Sequence, residues 1–273
     1  MGRSVEVPET PSRIISLVPS QTELLYELGV GDKVVGITEY CVHPEHWLRE
    51  KRIIGGTKNT VLKRVEQLEP DLVIGNKEEN TKKKIEKLEE RYPVWMSDVQ
   101  NIQDALDMIQ EIGGITDRSE KAEALAERIG EGFEDLQERT GTFHTSTAYF
   151  IWKDPWMLAA ADTFIDAVLS ASGHENPIKA PFPASVQERI DAGKASSRYP
   201  IFELEALKEI QPERIYLSSE PYPFGDEDRK ELQGHFPHAD IRIVDGEMFS
   251  WYGSRLEKAL PYLEGLIEDR ALH

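Results

Sequence analysis

Aromatic side chains recur in the segments that directly follow predicted strands, and these segments hold the residues best suited to binding chemistry. Tyr40 follows an apolar run that ends at Ile37, and Trp152 ends the apolar run that begins at Ala148. The full set of candidate rings is Tyr40, Trp152, Trp156, Tyr222, Phe249, Trp251 and Tyr252. Ligands of parallel α/β proteins bind at the carboxyl ends of the strands, because loops and helix N-termini converge there. Wide rings beside polar groups therefore predict a site that stacks on a flat, bulky small molecule.

Polar side chains near these rings are candidates for charged and hydrogen-bonding contacts. Lys58 follows a Gly-Gly pair, and Arg255 follows the aromatic segment that ends at Tyr252. Both side chains could meet carboxylates or phosphates of a ligand. The segment 76–80 (NKEEN), directly after an apolar strand, is a further candidate, with a solvated loop tip as the alternative interpretation.

The sequence supports metal binding and catalysis less strongly than it supports the binding of a small molecule. Cys41, His43 and His46 fall within CVHPEH, and a thiolate with two imidazoles suits a transition metal, but the spacing matches no strong zinc pattern. The chain has neither a phosphate-binding Gly-Lys-Ser/Thr loop nor a Gly-x-Ser-x-Gly elbow. We therefore predict no catalytic residue, no metal ligand and no cofactor. A metal-dependent enzyme that uses these three residues stays as the alternative.

The composition limits the class of partner. The 50 acidic residues outnumber the 32 basic ones and give a formal charge of -18, which excludes a nucleic-acid backbone as the expected ligand. No apolar run approaches the roughly 20 residues that span a bilayer. The N-terminal residues lack a signal-peptide pattern. The expected location is the periplasm or cell envelope if the N-terminus is cleaved or trimmed, and the cytoplasm if Met1 is the natural start.

Short apolar runs alternate with helical spacing along most of the chain, which predicts an α/β fold with parallel sheets. The first strand lies within 13–18, and Ser20 with Glu23 forms a capping-box pattern for the helix that follows. A stretch of purely helical spacing spans 101–139, and Gly113 with Gly114 predicts a break within it.

One sequence motif, here called the repeated phrase, occurs twice in the chain and predicts two related lobes. VEQLEPDLVIG at 65–75 and ALKEIQPERIYL at 206–217 both read as a short helix, a proline and an apolar strand. We predict an N-terminal α/β lobe at 1–100, a bridging helical segment at 101–140 and a C-terminal α/β lobe at 141–273. Two such lobes would form a cleft between them.

These motifs resemble a known family. RIISLVPSQTELLYELGVGDKVVGIT, a Gly-Gly pair, LEPDLVIG and the bridging helix are similar to the substrate-binding proteins of ABC importers for ferric siderophores, haem and cobalamin. The resemblance covers nearly the whole chain. It implies the class III periplasmic binding protein fold, with two similar lobes bridged by one long helix, and it implies binding without catalysis.

The resemblance also implies a partner and the residues that meet it. In the family, a surface glutamate on each lobe docks onto arginines of an ABC permease. Glu205 occupies the expected position in the second lobe, whereas Lys63 occupies it in the first, with Glu66 one turn further on. The chain is thus expected to be the substrate-binding protein of an importer for a corrinoid or ferric siderophore, with haem as a further candidate. A cytoplasmic protein that handles such chelates without a permease is the alternative.

Overall fold

The computed structural model describes residues 5–141 and 144–268, so Met1 lies outside the described chain. The contacts divide the protein into two compact units. Unit 1 comprises the chain up to Val99, Gln103–Glu131 and Trp251–Lys258. Unit 2 comprises Gln100–Ile102, Gly132–Ser250 and the chain from Ala259. The sequence assigned 251–258 to the second lobe, whereas their contacts lie in unit 1. The predicted boundaries at residues 100 and 140 stay predictions.

Unit 1 is built on an entirely parallel five-stranded sheet in the order β3-β2-β1-β4-β5. Its elements are β1 (Ile14–Ser16), α1 (Pro19–Glu27), β2 (Val34–Ile37), α2 (Trp47–Glu50), β3 (Arg52–Ile53), α3 (Leu62–Glu66), β4 (Leu72–Asn76), α4 (Lys82–Glu89), β5 (Val94–Ser97) and α5 (Ile102–Ile115). Every residue of β1 and β4 is buried, as expected for central parallel strands covered on both faces. Helix α6 (Ser119–Thr140) follows and contributes residues to both units.

Unit 2 is built on a mainly parallel sheet in the order β10-β9-β6-β7, with β8 paired to the start of β6. Its elements are β6 (Thr145–Trp152), β7 (Met157–Ala159), α7 (Phe164–Ala171), β8 (His174–Glu175), α8 (Ala184–Asp191), α9 (Leu204–Ile210), β9 (Arg214–Ser218), α10 (Asp226–His235), β10 (Asp240–Val244), α11 (Glu247–Ser250) and α12 (Arg255–Glu268). Only β7 runs antiparallel to its neighbour in this sheet. The two sheets confirm the predicted α/β class with mainly parallel strands.

The repeated phrase adopts the same backbone conformation in both units. Glu69 precedes Pro70 with φ of 44°, and Gln211 precedes Pro212 with φ of 49°. Proline disfavours the right-handed helical conformation at the residue before it, so the helix ends at or before that residue, α3 at Glu66 and α9 at Ile210. In both copies the residue before the proline has a positive φ, although this costs a non-glycine residue about 1–2 kcal/mol. The repeat is therefore structural as well as sequential.

The capping-box prediction for α1 is wrong. The cap position is Val18, which has no side-chain cap, and Pro19 occupies the first helical turn. Proline suits this position because the backbone N–H groups of the first turn have no partners within the helix. Proline lacks an N–H group, so no hydrogen bond is lost there. Glu23 is instead buried, and its carboxylate accepts hydrogen bonds from Arg255 (2.8 Å) and Lys258 (3.0 Å) within unit 1.

The helical stretch is broken in two as predicted, but the break lies after the glycine pair rather than at it. Helix α5 continues through Gly113 and Gly114, and the chain turns only at residues 116–118, where Asp117 has φ of 61°. A Cβ atom on Gly113 would lie 2.2 Å from the Cβ of Ala122, whereas one on Gly114 would meet nothing within 4 Å. Gly113 thus permits the close packing of α5 on α6.

Within the part of the chain that the structure describes, no helix combines the length and the apolar character that a membrane crossing requires.

The two glycines provide a matched test of this packing. Gly113→Ala should lower the free energy of unfolding by about 1–3 kcal/mol, because the methyl group would overlap Ala122 and force the helices apart. Gly114→Ala should leave it unchanged or raise it by up to about 1 kcal/mol, because alanine favours the helix and has room. Urea unfolding followed by circular dichroism measures both. Equal effects of the two substitutions would show that the close approach at Gly113 is not needed.

Candidate functional site

The carboxyl ends of the unit 1 strands carry a strongly exposed aromatic ring. Tyr40 lies in the loop after β2 and keeps 57% of its surface exposed. Its ring covers Gly56 in the loop after β3, where an added Cβ would come within 3.0 Å of the ring. Glycine therefore lets the ring lie against the neighbouring backbone. This arrangement presents a flat apolar surface at the edge of the sheet, where parallel α/β proteins bind ligands.

Two buried asparagines hold the loops of unit 1 together. Asn80 Nδ2 donates to the carbonyl oxygens of Thr57 (3.1 Å) and Leu17 (3.4 Å), and its Oδ1 accepts from the Asn76 amide (2.9 Å). Asn76 Nδ2 donates to Ser97 Oγ (2.9 Å). The sequence suggested that the segment 76–80 would contact a ligand. The structure shows that its asparagines instead join the loops after four strands, since their side chains are buried.

The two predicted cationic contacts of unit 1 have internal partners. Lys58 is exposed, and its ammonium group donates to the carbonyl oxygen of Glu78. Arg255 is buried against Glu23, and its guanidinium lies 5.2 Å from the ring centre of Trp251. A buried charge is costly without a partner, so Arg255 is tied to this carboxylate. Arg255 is therefore held by Glu23 inside unit 1, and its contact with a ligand carboxylate stays a prediction.

Trp251 and Tyr252 are largely buried in unit 1 and expose little ring surface. The His43 imidazole meets Trp251 edge to face, with ring centres 5.4 Å apart. His43 therefore belongs with the aromatic residues of this unit, a role that the sequence did not predict. The contact of Trp251 and Tyr252 with a ligand stays a prediction.

In unit 2 the loops after β6 and β9 form a compact aromatic group, here called the Trp152 cluster: Trp152, Trp156, Tyr222 and Phe224. Trp152 is 40% exposed and meets Tyr222 edge to face at 5.7 Å. Trp156 stacks on the buried Phe224 with ring centres 6.1 Å apart and planes inclined by 4°. Tyr222 contacts Phe224 at 4.7 Å. The structure thus brings three of the predicted ring residues together around the buried Phe224.

Lys153 ties this cluster to helix α10. Its ammonium group lies 2.7 Å from both Asp228 Oδ1 and Glu231 Oε2, and 5.3 Å from the ring centre of Trp156. The hydrogen bond to Asp228, followed by that to Glu231, raises the pKa of Lys153. The sequence analysis missed this residue, although its place between two tryptophans in WKDPW was a usable signal.

Phe249 lies apart from these exposed rings. It is fully buried in unit 2, where its ring packs against Tyr149 (5.2 Å) and Tyr216 (5.7 Å). Its position after β10 suggested contact with a ligand. The structure places it in the core, on the buried tyrosines of β6 and β9.

The residues of CVHPEH do not converge on a metal site. Cys41 is fully buried and accepts a hydrogen bond from Thr22 Oγ1 (3.0 Å), and burial raises the pKa of its thiol. His46 packs against Tyr26 (5.7 Å), whereas His43 packs against Trp251. Among residues 5–141 and 144–268 there is no group of three His, Cys, Asp or Glu side chains that could hold a metal ion. In the described chain, Cys41, His43 and His46 therefore do not form the metal centre that the enzyme alternative needs.

The two glutamates predicted to meet a permease are exposed on short helices. Glu66 on α3 accepts a hydrogen bond from Arg91 (2.7 Å), and Glu205 on α9 accepts one from Lys208 (2.7 Å). The Lys208 hydrogen bond holds the pKa of Glu205 below its usual value, so the carboxylate is charged at neutral pH. Lys63 is also exposed on α3, three residues before Glu66.

Two relatives found by comparison with known proteins are both named as binding proteins. A vitamin B12-binding protein of Vibrio campbellii is 27% identical over 209 residues, which cover 76% of this chain and 70% of the relative. The ABC transporter substrate-binding lipoprotein YvrC of Bacillus subtilis is 27% identical over 184 residues, 64% of this chain and 58% of the relative. The chain thus aligns with just over half the length of the second relative.

A solved structure shares the fold over nearly the whole length. The periplasmic vitamin B12-binding protein BtuF of Vibrio cholerae superposes with a TM-score of 0.77 and 21% identity, covering 94% of this chain and 98% of that one. At this identity the match shows the fold.

A family match covers most of the chain. Residues 14–239 match the family described as periplasmic binding protein, a span that includes both copies of the repeated phrase. The elements that carry Tyr40, Lys58 and the Trp152 cluster all fall inside it. This confirms the resemblance that the opening strand, the two proline phrases and the long helix indicated: the chain belongs to the periplasmic binding protein family.

Proposed function

We propose that this protein is the substrate-binding protein of an ABC importer and that its ligand is a bulky metal chelate. A corrinoid or a ferric siderophore is the leading candidate, and haem is the next. The observation that carries the proposal is the exposure of Tyr40 and Trp152 at the carboxyl ends of parallel strands in a member of a binding-protein family. The names of the Vibrio and Bacillus relatives support both the importer role and the corrinoid.

Binding of this kind depends on contact area rather than on bond-breaking. A ring such as Trp152 or Tyr40 covers a flat ligand face and removes apolar surface from water at about 25 cal/mol per Å². Edge-to-face packing on Tyr222 limits the rotation of Trp152, so less side-chain freedom is lost when the ligand arrives. The proposed ligand contacts are Tyr40, Lys58, Trp152, Trp156, Tyr222, Trp251 and Tyr252.

Alanine substitution of the exposed rings tests the proposed site. Tyr40→Ala and Trp152→Ala should each raise the Kd for the chelate about tenfold, because each loses a stacking surface, and the double variant should lose more. Isothermal titration with cobalamin, haem and several ferric siderophores first identifies the ligand and then measures each variant.

Tyr26→Ala is the matched control, because Tyr26 is similarly exposed (42%) but lies in the last turn of α1 rather than in a loop that follows a strand. It should leave the Kd unchanged. If Tyr40→Ala, Trp152→Ala and Tyr26→Ala all bind the chelate equally well, the two exposed rings do not form the site. If the wild-type protein binds none of these chelates, the proposed function is wrong.

We further propose that Glu205 and Glu66 form the contacts with the permease. Exposed carboxylates on the helices of the two repeated phrases support this assignment. Glu205→Lys should reduce the ATPase activity that the loaded protein stimulates in its reconstituted importer by at least about tenfold, since like charges oppose each other across an interface. Ligand affinity should stay unchanged. The control is Glu188→Lys, the same charge reversal on the exposed face of α8. Equal stimulation by both variants would remove Glu205 from the interface.

A location in the cell envelope follows from the same proposal, and the lipoprotein name of the Bacillus relative supports it. Fractionation of the native host with an antibody against this chain should place it in the envelope or periplasmic fraction. Recovery with the cytoplasmic markers would favour a cytoplasmic chelate-handling protein instead.

A further inference from the structure

The loops at the carboxyl ends of the unit 1 strands carry more negative than positive charge. Loops 17–18, 38–46, 54–61, 77–81 and 98–101 hold two lysines and five carboxylates, all in the described chain. The five are Glu39, Glu45, Glu78, Glu79 and Asp98. Glu39 lies directly beside Tyr40, with its Oε1 3.2 Å from where a Cβ on Gly56 would sit. The exposed ring is thus next to a carboxylate.

Both lysines of these unit 1 loops are already engaged. Lys58 donates to the carbonyl oxygen of Glu78, and Lys77 forms an ion pair with Asp98. An anionic group of a ligand would have to share or displace these partners. Lys77 is therefore compensated by a carboxylate, whereas Lys58 keeps its charge and has one of its donors occupied by a carbonyl oxygen.

Unit 2 repeats this arrangement independently. Loops 153–156, 219–225 and 245–246, which follow β6, β9 and β10, contain one lysine among their described residues, Lys153, and three carboxylates: Asp154, Glu220 and Asp245. Lys153 is held by two further carboxylates, Asp228 and Glu231. With 18% of its side chain exposed, it has little surface left for a ligand.

From these pairings we infer that the ligand is a metal chelate whose periphery is neutral or cationic, bearing amide, hydroxyl or ammonium groups, and not a polyanion. The inference rests on the proposed function and narrows it. A polyanion at the unit 1 loops would meet five carboxylates and two lysines, and one at the unit 2 loops would meet three carboxylates and one lysine, so its approach to either set would be repelled. Corrinoids with peripheral amides and cationic hydroxamate chelates fit this class. Ferric catecholates and haem, with its two propionates, fit it poorly.

Two pairs of probes, matched in shape and opposite in charge, test the inference. The first pair is cobalamin and the product in which its peripheral amides are hydrolysed to carboxylates. The second is a cobalt(III) porphyrin with four N-methylpyridinium groups and one with four sulfonatophenyl groups. In calorimetric titrations the neutral or cationic member of any pair that binds should bind at least about tenfold more tightly than the anionic member. This difference in affinity should shrink as added salt screens the charges of the loops.

A pair of variants separates the loop charges from the net charge of the whole protein. Glu231→Gln removes one partner of Lys153 and should improve binding of the anionic probe about threefold. Glu209→Gln changes the net charge equally, but Glu209 lies at the end of α9, close to the amino end of β9, and should change the affinity far less. Equal improvement by both variants would contradict the role of Lys153.

The outcomes distinguish the inference from the proposal on which it rests. Tighter binding of the anionic member in either pair overturns the inference while leaving the binding function intact. If neither pair binds, and ferric siderophores and haem also fail, both the proposed function and the inference are wrong. Preference for the neutral or cationic members, weakened by salt, supports both.

Discussion

The exposed Tyr40 ring of unit 1 depends on two buried asparagines that act as the hydrogen-bonding centre of the loops around it. Asn80 bridges the loops after β1 and β3, and Asn76 joins the ends of β4 and β5 through Ser97. A buried amide left without partners would cost roughly 1–3 kcal/mol, so each loop is held in the one arrangement that satisfies these groups. The loop that Asn80 holds contains Gly56, against which Tyr40 lies. A binding surface made of loops can be pre-organised in this way, which lowers the entropy lost on binding.

In unit 2, ion pairs hold the loops together, where unit 1 uses the hydrogen bonds of asparagine amides. Lys153, bound to Asp228 and Glu231, connects the turn after β6 to the start of α10. Asp228 also accepts a hydrogen bond from the Gly225 amide (2.9 Å), which fixes the N-terminus of that helix. The aromatic stack of Trp156 on Phe224 then rests on an already rigid frame. Lys153 thus holds the unit 2 loops together, and the exposed Trp152 lies in a loop region that also carries the carboxylate of Asp154.

Much of the fold could be predicted because it follows from local rules. Apolar runs alternating with helical spacing can be satisfied only by a parallel sheet with helices packed on it. The two copies of the repeated phrase were predictable because proline disfavours the helical conformation at the residue before it. The capping box at Ser20 and the placement of the break at Gly113 failed for a common reason. Each residue type has a local meaning, but Glu23 is engaged by Arg255, 232 residues away, and Gly113 is needed by Ala122 on another helix.

The candidate site shows the same division between residue type and tertiary placement. The sequence by itself determined which residue types follow the strands, and so identified Tyr40, Trp152, Trp156 and Tyr222 as ring candidates and the family to which they belong. It could not tell that Phe249 lies in the core, that Arg255 is buried and bound to Glu23, or that Lys153 is held by two carboxylates. Those facts depend on which side chains are brought into contact from distant parts of the chain. Burial and pairing are properties of the folded molecule, because the free energy of a charge or ring depends on its neighbours and not on its own chemistry alone.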